Sequence, residues 1–468
     1  MSPQPVVQGI DMPLSFRTLA IVLPAALALA GCAAGVGVPG APQTLALDLT
    51  HSADRQVTAD YRLSEATTAL HFPQELGGYR AEVWKPADGA FRWVKEGQGE
   101  RIERTDGQAF RQVAFTIPID YRALPKSYAP FSPFSQGGAL VHSGQFHACP
   151  SAPCEQTGPL PIRITAPGEI VGVEGRRTPD RESFISRDDG TSIFIGTLKP
   201  VDADDFVAII DPGLPPAVRQ HLDRSLPQAI QDLATIYGPL SFKPELYVSI
   251  DDEPEKNGRV SSQGGTLPRQ IFMHFDGEGA IERVAADNPL WLDWFFAHEA
   301  AHLFQQDKAG KLFGDDRFAW IHEGGAEAMA ALAMVGRGPA ERAYVLSRKE
   351  EAQQACAAGL AATPLSKASA EGKFDLHYQC GLIMWLAIDQ DERRAGKAGL
   401  ADLNRALFVA VRKGEPWSEA IFFRLTRELG ASPSVTARIM TLADGNSRDA
   451  LEALGALGQM ANQSLQLE

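Results

Sequence analysis

The chain has 468 residues, which is room for two or three domains with a sizeable core. Its 44% hydrophobic and 22% charged residues are ordinary for a folded soluble protein. The formal net charge is −14, and no long run of basic residues occurs. Because nucleic-acid binding needs a cationic surface, the composition argues against a nucleic-acid partner.

An apolar stretch, LAIVLPAALALAGC, lies near the N-terminus and follows a single Arg. It is too short, and too interrupted by Pro24, to span a bilayer, and is typical of an export signal. Its end, LAGC, resembles a bacterial lipobox. This resemblance implies a signal peptide over residues 1–31 and lipidation of Cys32 as the first mature residue. The alternatives are an ordinary signal peptide with an incidental cysteine or a short N-terminal helix, and the start is Met1 or Met12.

Ala33 follows the lipobox cysteine. In the lipoproteins it resembles, Asp at that place favours inner-membrane retention, so we expect a lipid anchor in the outer membrane and a protein that faces the periplasm. Four further cysteines suit such an oxidising compartment. Cys149 and Cys154 could close a small loop, and Cys356 could pair with Cys380, although the sequence leaves the connectivity open.

The predicted elements change in character along the chain. Residues 32–44 are small and predict a flexible tether. Short alternating or β-branched runs over residues 45–205 predict an all-β, sandwich-like domain. A proline-initiated helix, two strand-like runs and two more helices predict an α/β lobe over residues 206–336. Helical spacing over residues 337–468 predicts an α-helical lobe, so the fold class is α+β.

The stretch DWFFAHEAAHLFQQ contains an HExxH pattern made by His298, Glu299 and His302. Residues i and i+4 share one helix face, so the two imidazoles can bind one ion at the roughly 2.0–2.1 Å that zinc prefers. Glu299 lies on an adjacent face. There it could act as the base towards a zinc-bound water, whose pKa the metal lowers to about 7.

A third ligand is expected because catalytic zinc sites usually have three protein ligands. Glu323 follows His302 by 21 positions, far enough for the chain to turn through a Gly- and Asp-rich loop and return along a second helix. One turn later, Glu327 could accept the free N–H of a zinc histidine. The sequence therefore predicts one zinc ion per chain, held by His298, His302 and Glu323.

This HExxH pattern, followed by Glu323 in a W-x-x-E-G-x-A setting, resembles the gluzincin metallopeptidases. The nearest branch contains aminopeptidase N, leukotriene-A4 hydrolase and the glycyl aminopeptidases. The resemblance implies a thermolysin-like catalytic domain after the β domain, with Glu327 steadying a zinc histidine. That branch also carries a Y-x-x-G motif, which Tyr378 and Gly381 match. By resemblance, Tyr378 would stabilise the oxyanion of the tetrahedral intermediate.

The chain departs from that branch in three ways. The spacing from His302 to Glu323 is slightly longer than usual, and His322 stands where asparagine is common. No G-x-M-E-N or G-G-L-E-H motif, whose acid binds a free amino terminus, precedes the zinc helix. The corresponding stretch, SSQGGTLPRQIFMHF, has no glutamate. We therefore expect an edge strand that binds extended peptide rather than an aminopeptidase site.

The expected function is zinc-dependent peptide hydrolysis, with peptide or protein substrates and a membrane contact through the lipid anchor. A zinc-activated water would attack the peptide directly, with Glu299 as general base and acid. One alternative is a non-catalytic envelope lipoprotein that binds peptide or protein through a degenerate peptidase domain. Another is hydrolysis of a non-peptide substrate.

Two further groups of residues are expected to serve structure. His142 and His147 are interpreted as surface histidines in a β-domain loop rather than as a second metal site, since no carboxylate cluster accompanies them. Trp294 and its aromatic neighbours are expected to pack the zinc helix rather than to line a substrate site.

Overall fold

A computed structural model describes residues 44–465 except 53–54, 75, 97–98, 125–126, 152–153, 155–158, 189, 253–259, 311–315, 398 and 446. The predicted signal peptide, Cys32 and nearly all of the predicted tether lie outside the described residues. Within the described part, no helix combines the length and apolar character needed to cross a membrane. Within the described residues, the chain divides into a β unit (residues 44–131 and 138–197) and an α/β unit (residues 132–137 and 198–465).

Strands fill the first part of the described chain and helices the last. In chain order the strands are β1 Leu45–Ser52, β2 Gln56–Thr67, β3 Ala69–Phe72, β4 Lys85–Pro86, β5 Phe91–Glu96, β6 Gly99–Arg104, β7 Phe110–Pro118, β8 Phe131–Pro133, β9 Ala139–His142, β10 Leu160–Val173, β11 Arg176–Ser186, β12 Ser192–Gly196, β13 Val201–Asp202, β14 Val207–Ile210, β15 Glu245–Asp251, β16 Ser261–Leu267 and β17 Gln270–Asp276. The helices are α1 Tyr79–Val83, α2 Pro216–Tyr237, α3 Ala280–Ala286, α4 Leu290–Ala309, α5 Ala319–Val335, α6 Pro339–Leu360, α7 Asp375–Arg394, α8 Leu400–Arg412, α9 Glu419–Glu428, α10 Pro433–Asp444 and α11 Ser447–Ser464.

The β unit is built on two sheets. In the larger sheet the strands pair in the order β4-β7-β2-β1-β10-β12-β9, with β11 against β10, and the smaller sheet is β3-β6-β5. Along β1, Leu45, Leu47 and Leu49 are buried while the residues between them are more exposed, the period of two that a half-buried strand requires. Ile102 of the small sheet joins the same apolar core. The predicted all-β domain is confirmed.

His142 and His147 are not the surface histidines that the sequence predicts. Their exposed fractions are 6% and 2%, and His147 Nε2 lies 2.8 Å from Ser186 Oγ. Burial lowers the pKa of His142 to about 3 and that of His147 to about 4, so both rings are neutral at pH 7. The prediction was wrong because the end of a strand and the turn after it have the same composition whether they lie on the surface or fold into the core.

The α/β unit contains a five-stranded sheet in the order β13-β14-β15-β17-β16. Strands β14, β15 and β17 are parallel, whereas β16 pairs antiparallel with β17 at one end of the sheet. Helix α2 begins at Pro216 and ends before Gly238, the usual placement of these two residue types. Leu222 of α2 and Phe296 of α4 share one apolar cluster with Ile250 of the sheet. The sheet thus supports the helix that carries HExxH.

Helix α4 is buried on nearly all sides. A helix that is apolar all round belongs in a core, and α4 packs against α2, α5 and β16. It ends at Gly310, whose φ of 82° lies in the left-handed region that glycine adopts without a steric penalty. The two histidines of the motif are therefore in the interior of the α/β unit.

Helices α5 and α7 cross at two glycines. A Cβ on Gly324 would lie 2.4 Å from Gly381 Cα, which no real side chain tolerates, so this close approach requires glycine on α5. A Cβ on Gly381 would in turn meet Gly324 Cα at 2.6 Å. Beside this crossing, a disulfide between Cys356 and Cys380 joins α6 to α7. The second disulfide, between Cys149 and Cys154, lies in the β unit.

Glu392 on α7 is a buried carboxyl group of the helical region. Its side chain is 0% exposed, and neither carboxyl oxygen has a hydrogen-bond partner among the described residues. Burial, reinforced by the charges of Asp389 and Asp402, raises the pKa of Glu392 to about 8. The folded protein therefore favours the protonated form of Glu392. Between about pH 4.5 and 8 the unfolded chain loses this proton more readily than the folded protein, so the contribution of Glu392 to the free energy of unfolding falls as the pH rises.

The variant Glu392→Gln tests this linkage. Gln removes the ionisable proton at nearly constant volume, so we expect the variant to gain stability over wild type at pH 9, on the order of a few kcal/mol, and little at pH 4.5. Urea unfolding at both pH values measures the difference. The exposed Glu452→Gln is the control. An advantage of equal size at both pH values would contradict the assignment.

Candidate metal centre

Three buried donor atoms converge between α4 and α5. His302 Nε2 lies 3.0 Å from His298 Nε2 and 3.0 Å from Glu323 Oε2. His298 Nε2 lies 3.4 Å from the same Glu323 oxygen. The three residues are 3%, 7% and 5% exposed for His298, His302 and Glu323. Within the described residues, they form the one group of three or more His, Cys, Asp or Glu side chains whose ligand atoms converge in this way.

This triangle fits a zinc ion. Two ligands at roughly 2.0–2.1 Å from a tetrahedral ion are about 3.3–3.4 Å apart, close to the 3.0–3.4 Å seen among the three atoms. Two imidazole nitrogens and a carboxylate oxygen also form a donor set that zinc accepts. His298 Nε2 and His302 Nε2 are only 3.0 Å apart, so if both rings are neutral with these lone pairs directed inward, a cation between them removes the repulsion.

Each ligand histidine has a partner on its other nitrogen. His302 Nδ1 lies 2.8 Å from Gln305 Oε1, while Gln305 Nε2 donates to the backbone carbonyl of His322 at 2.9 Å. His298 Nδ1 lies 3.3 Å from Glu327 Oε1, an ion-pair distance. Such partners orient the rings of metal-binding histidines.

Glu327 and Glu323 are themselves held in place. Trp294 Nε1 donates to Glu327 Oε2 at 2.8 Å, so this tryptophan of α4 orients a carboxylate in addition to its packing role. His322 Nε2 lies 3.1 Å from Glu323 Oε1, the oxygen that does not face His302. This contact gives a structural reason for a histidine immediately before the third ligand. It leaves Glu323 Oε2 to the two ligand histidines.

The electrostatics of the cluster favour a bound positive charge. Burial alone would lower the pKa of His298, but its close contacts with the carboxylates of Glu323 and Glu327 outweigh burial and raise that pKa to about 10. Burial also lowers the pKa of His302, and the charge of Glu323 more than offsets this. Burial opposes ionisation of Glu323 as well, yet His302 and His322 hold the pKa of its carboxyl group well below the usual range. Glu323 is therefore a carboxylate that needs a cation beside it.

Glu299 lies next to this cluster with one oxygen unpaired. Thr266 Oγ1 of strand β16 lies 2.7 Å from Glu299 Oε2 and 2.8 Å from the Glu299 backbone oxygen. Glu299 Oε1 is enclosed and has no hydrogen-bond partner among the described residues. Burial raises the pKa of Glu299, against the charges of His298 and His302. A raised pKa brings a carboxyl group nearer to the range in which general acids and bases work.

Tyr378 on α7 also faces the cluster. Its ring centroid lies 5.6 Å from that of His298. The hydroxyl group is enclosed and, within the described part of the chain, has no hydrogen-bond partner. Burial, with the negative charges of Glu323 and Glu299, raises the pKa of Tyr378 well above its ordinary value. The phenol is thus protonated and able to donate a hydrogen bond.

The structure brings together every residue that the sequence proposed for this site: Glu299 and Tyr378, the donors His298, His302 and Glu323, and Glu327 beside His298. Sequence reasoning missed Thr266 and Gln305 and gave Trp294 a packing role alone. Gln305 had a detectable signal, since i and i+3 side chains are neighbours on a helix. Thr266 had none, because it comes from a strand 33 positions before Glu299.

No family model and no curated protein matches the sequence. Among solved structures, the chain is similar to an aminopeptidase N family protein from Idiomarina loihiensis, with a TM-score of 0.61 and 10% identity over 86% of this chain and 76% of the other. It is also similar to an M1 zinc metallopeptidase from Deinococcus radiodurans, with a TM-score of 0.50 and 15% identity over 86% and 93%. Yeast LTA4 hydrolase follows at a TM-score of 0.47 and 12% identity, over 84% and 66%.

The first two similarities show that this chain has the fold of those proteins, a β-rich N-terminal region followed by a helical C-terminal region. At 10% and 15% identity they concern the fold alone. The resemblance to the gluzincin aminopeptidase branch, drawn from motifs, is therefore confirmed at the level of fold.

Proposed function

We propose that this protein is a zinc-dependent peptide hydrolase. The proposal rests on one observation. Three convergent ligand atoms lie beside the buried carboxyl group of Glu299 and the enclosed hydroxyl of Tyr378, and among the described residues neither Glu299 Oε1 nor that hydroxyl has a hydrogen-bond partner. The fold supports it, because one protein of the same fold is an M1 zinc metallopeptidase. His298, His302 and Glu323 would hold one zinc ion per chain.

Bound zinc supplies Lewis-acid chemistry, which polarises a carbonyl group and lowers the pKa of water. Glu299 Oε1 has no competing partner, so it can take the proton of a water that attacks the scissile carbonyl. Thr266 meanwhile holds Glu299 Oε2 at 2.7 Å and fixes the direction of the carboxyl group. The same carboxyl group can then return the proton to the leaving amine. No enzyme side chain forms a bond to the substrate.

Tyr378 and strand β16 would contact the substrate. The hydroxyl of Tyr378, which has no hydrogen-bond partner among the described residues, can donate to the oxygen that becomes negative in the tetrahedral intermediate. Such a hydrogen bond stabilises the intermediate most strongly in a site that excludes water. Strand β16 lies at one end of its sheet and carries Thr266 next to Glu299. An extended peptide can add to such a strand through main-chain hydrogen bonds. We propose this binding mode for the peptide or protein substrate.

Two variants separate hydrolysis from binding. Glu299→Gln keeps the side-chain volume but removes the base, so we expect kcat/KM to fall by about 10²–10⁴. Tyr378→Phe removes one oxyanion donor, and we expect a loss of about 10²–10³ in kcat. Both variants should keep their zinc. Cleavage of a fluorogenic peptide library measures the rates, and mass spectrometry measures the metal.

The outcomes of this comparison distinguish peptide hydrolysis from peptide binding and from hydrolysis of a non-peptide substrate. Full activity in Glu299→Gln would contradict the assigned base. A wild type that holds zinc, binds peptides and cleaves none of them would identify the alternative, a non-catalytic binding lipoprotein. Hydrolysis of esters or epoxides without peptide cleavage would point to a non-peptide substrate.

We propose further that the protein is lipid-anchored at Cys32 in the bacterial cell envelope, in the outer membrane and facing the periplasm. The lipobox-like LAGC sequence supports this proposal. Two disulfides, Cys149–Cys154 and Cys356–Cys380, are consistent with an oxidising compartment.

Fractionation of a bacterial host tests the anchor. We expect wild type in the outer-membrane fraction and Cys32→Ser outside it, because the variant has no thiol to lipidate. Mass spectrometry of the mature N-terminus should show acyl chains on wild type alone. An unmodified wild-type N-terminus in the soluble fraction would contradict the proposal.

A further inference from the structure

We propose that Gln305 is a positioning residue for the metal centre: it selects the metal-binding tautomer of His302 and couples that ligand to the backbone beside Glu323. The inference rests on the proposed zinc site. It concerns a residue outside the HExxH and Glu323 motifs, so neither motif implies it.

The orientation of the Gln305 amide is determined by its surroundings. The backbone carbonyl of His322 can accept but cannot donate, so the amide nitrogen of Gln305 must face it, at 2.9 Å. The amide oxygen then faces His302 Nδ1 at 2.8 Å. Gln305 is 1% exposed, so water does not compete for either contact. The oxygen and the nitrogen of the Gln305 amide therefore each have a hydrogen-bond partner.

This orientation sets the state of His302. An amide oxygen only accepts, so His302 Nδ1 must carry the hydrogen of that bond. A neutral imidazole has one N–H, which leaves the lone pair on Nε2. Nε2 is the atom that lies 3.0 Å from His298 Nε2 and from Glu323 Oε2. In the neutral ring, Gln305 therefore directs the lone pair of His302 into the cluster, where it can bind a cation.

The same side chain joins two helices. Gln305 belongs to α4, and the carbonyl that it contacts belongs to the first turn of α5, one residue before Glu323. A movement of α5 away from α4 would break this hydrogen bond as it separated Glu323 from His302. Glu327 of α5 also contacts α4, at His298, but through a side-chain ion pair rather than through a backbone carbonyl. The two histidines therefore have different kinds of support, one charged and one neutral.

Three variants test the proposal on the full-length protein. Gln305→Leu removes both hydrogen bonds at similar volume. Gln305→Glu keeps an acceptor for His302 Nδ1 and loses the donor to the His322 carbonyl. Gln306→Leu makes the same change one position along α4, on a residue with no hydrogen bond to His302, and serves as the matched control. Zinc affinity is measured by competition with a chelator of known affinity, starting from metal-free protein.

We expect Gln305→Leu to bind zinc about 10–100-fold more weakly than wild type. Gln305→Glu should lose less, and Gln306→Leu should match wild type. The rise in Tm on adding zinc should shrink in Gln305→Leu by the amount that the weaker affinity implies. A role in packing alone would lower the Tm of the metal-free protein and leave that rise unchanged.

Unchanged zinc affinity in Gln305→Leu, or an equal loss in Gln306→Leu, would overturn the inference. A loss in Gln305→Glu as large as that in Gln305→Leu would show that the acceptor to His302 is not the operative contact, and would also overturn it. A wild type that binds no zinc would overturn the metal centre itself and this inference with it. If wild type and Gln305→Leu bind zinc equally well, the metal centre stands and only the proposed role of Gln305 is wrong.

Discussion

The constraint on which the rest depends is the burial of two imidazoles and a carboxylate against one another. His298, His302 and Glu323 meet at 3.0–3.4 Å in an interior from which water is largely excluded. Buried polar groups this close are costly unless a charge compensates them. The raised pKa values of both histidines mean that the cluster favours positive charge, which a divalent cation would supply. The surrounding residues keep the three donors together despite that cost.

Close packing of the helices at a few positions holds the three ligand side chains together. α4 is buried along its length, so its histidines cannot turn towards solvent. Gly324 and Gly381 let α5 and α7 approach more closely than any side chain would permit, which brings Tyr378 towards the cluster. Trp294 then fixes Glu327, which contacts His298, and Gln305 contacts His302 directly. The residues that form and support this centre therefore lie on three helices and one strand.

The sequence predicted the parts of this site that depend on local spacing. His298, Glu299 and His302 share one helix, and Glu323 and Glu327 lie one turn apart on the next. The order of a β domain, a mixed lobe and a helical lobe followed from hydrophobic periodicity and is seen in the order of the elements.

What sequence reasoning missed depends on tertiary contacts. Thr266 lies on strand β16 and contacts Glu299 on a helix, and no spacing along the sequence predicts that contact. Trp294 was assigned to packing because an aromatic side chain on an apolar helix gives no sign that its N–H has a carboxylate partner. His142 and His147 were misplaced at the surface for the same reason, since depth depends on what folds over a segment.

X-ray absorption at the zinc K edge of the purified protein would show whether His298, His302 and Glu323 bind zinc. We expect about one zinc per chain, a first shell of nitrogen and oxygen at about 2.0–2.1 Å, and outer-shell scattering from two imidazoles. A sulfur shell at about 2.3 Å would place the metal at cysteines instead. Absence of zinc after incubation with the ion would contradict a metal site at these residues, and the HExxH helix would then serve only to pack the core.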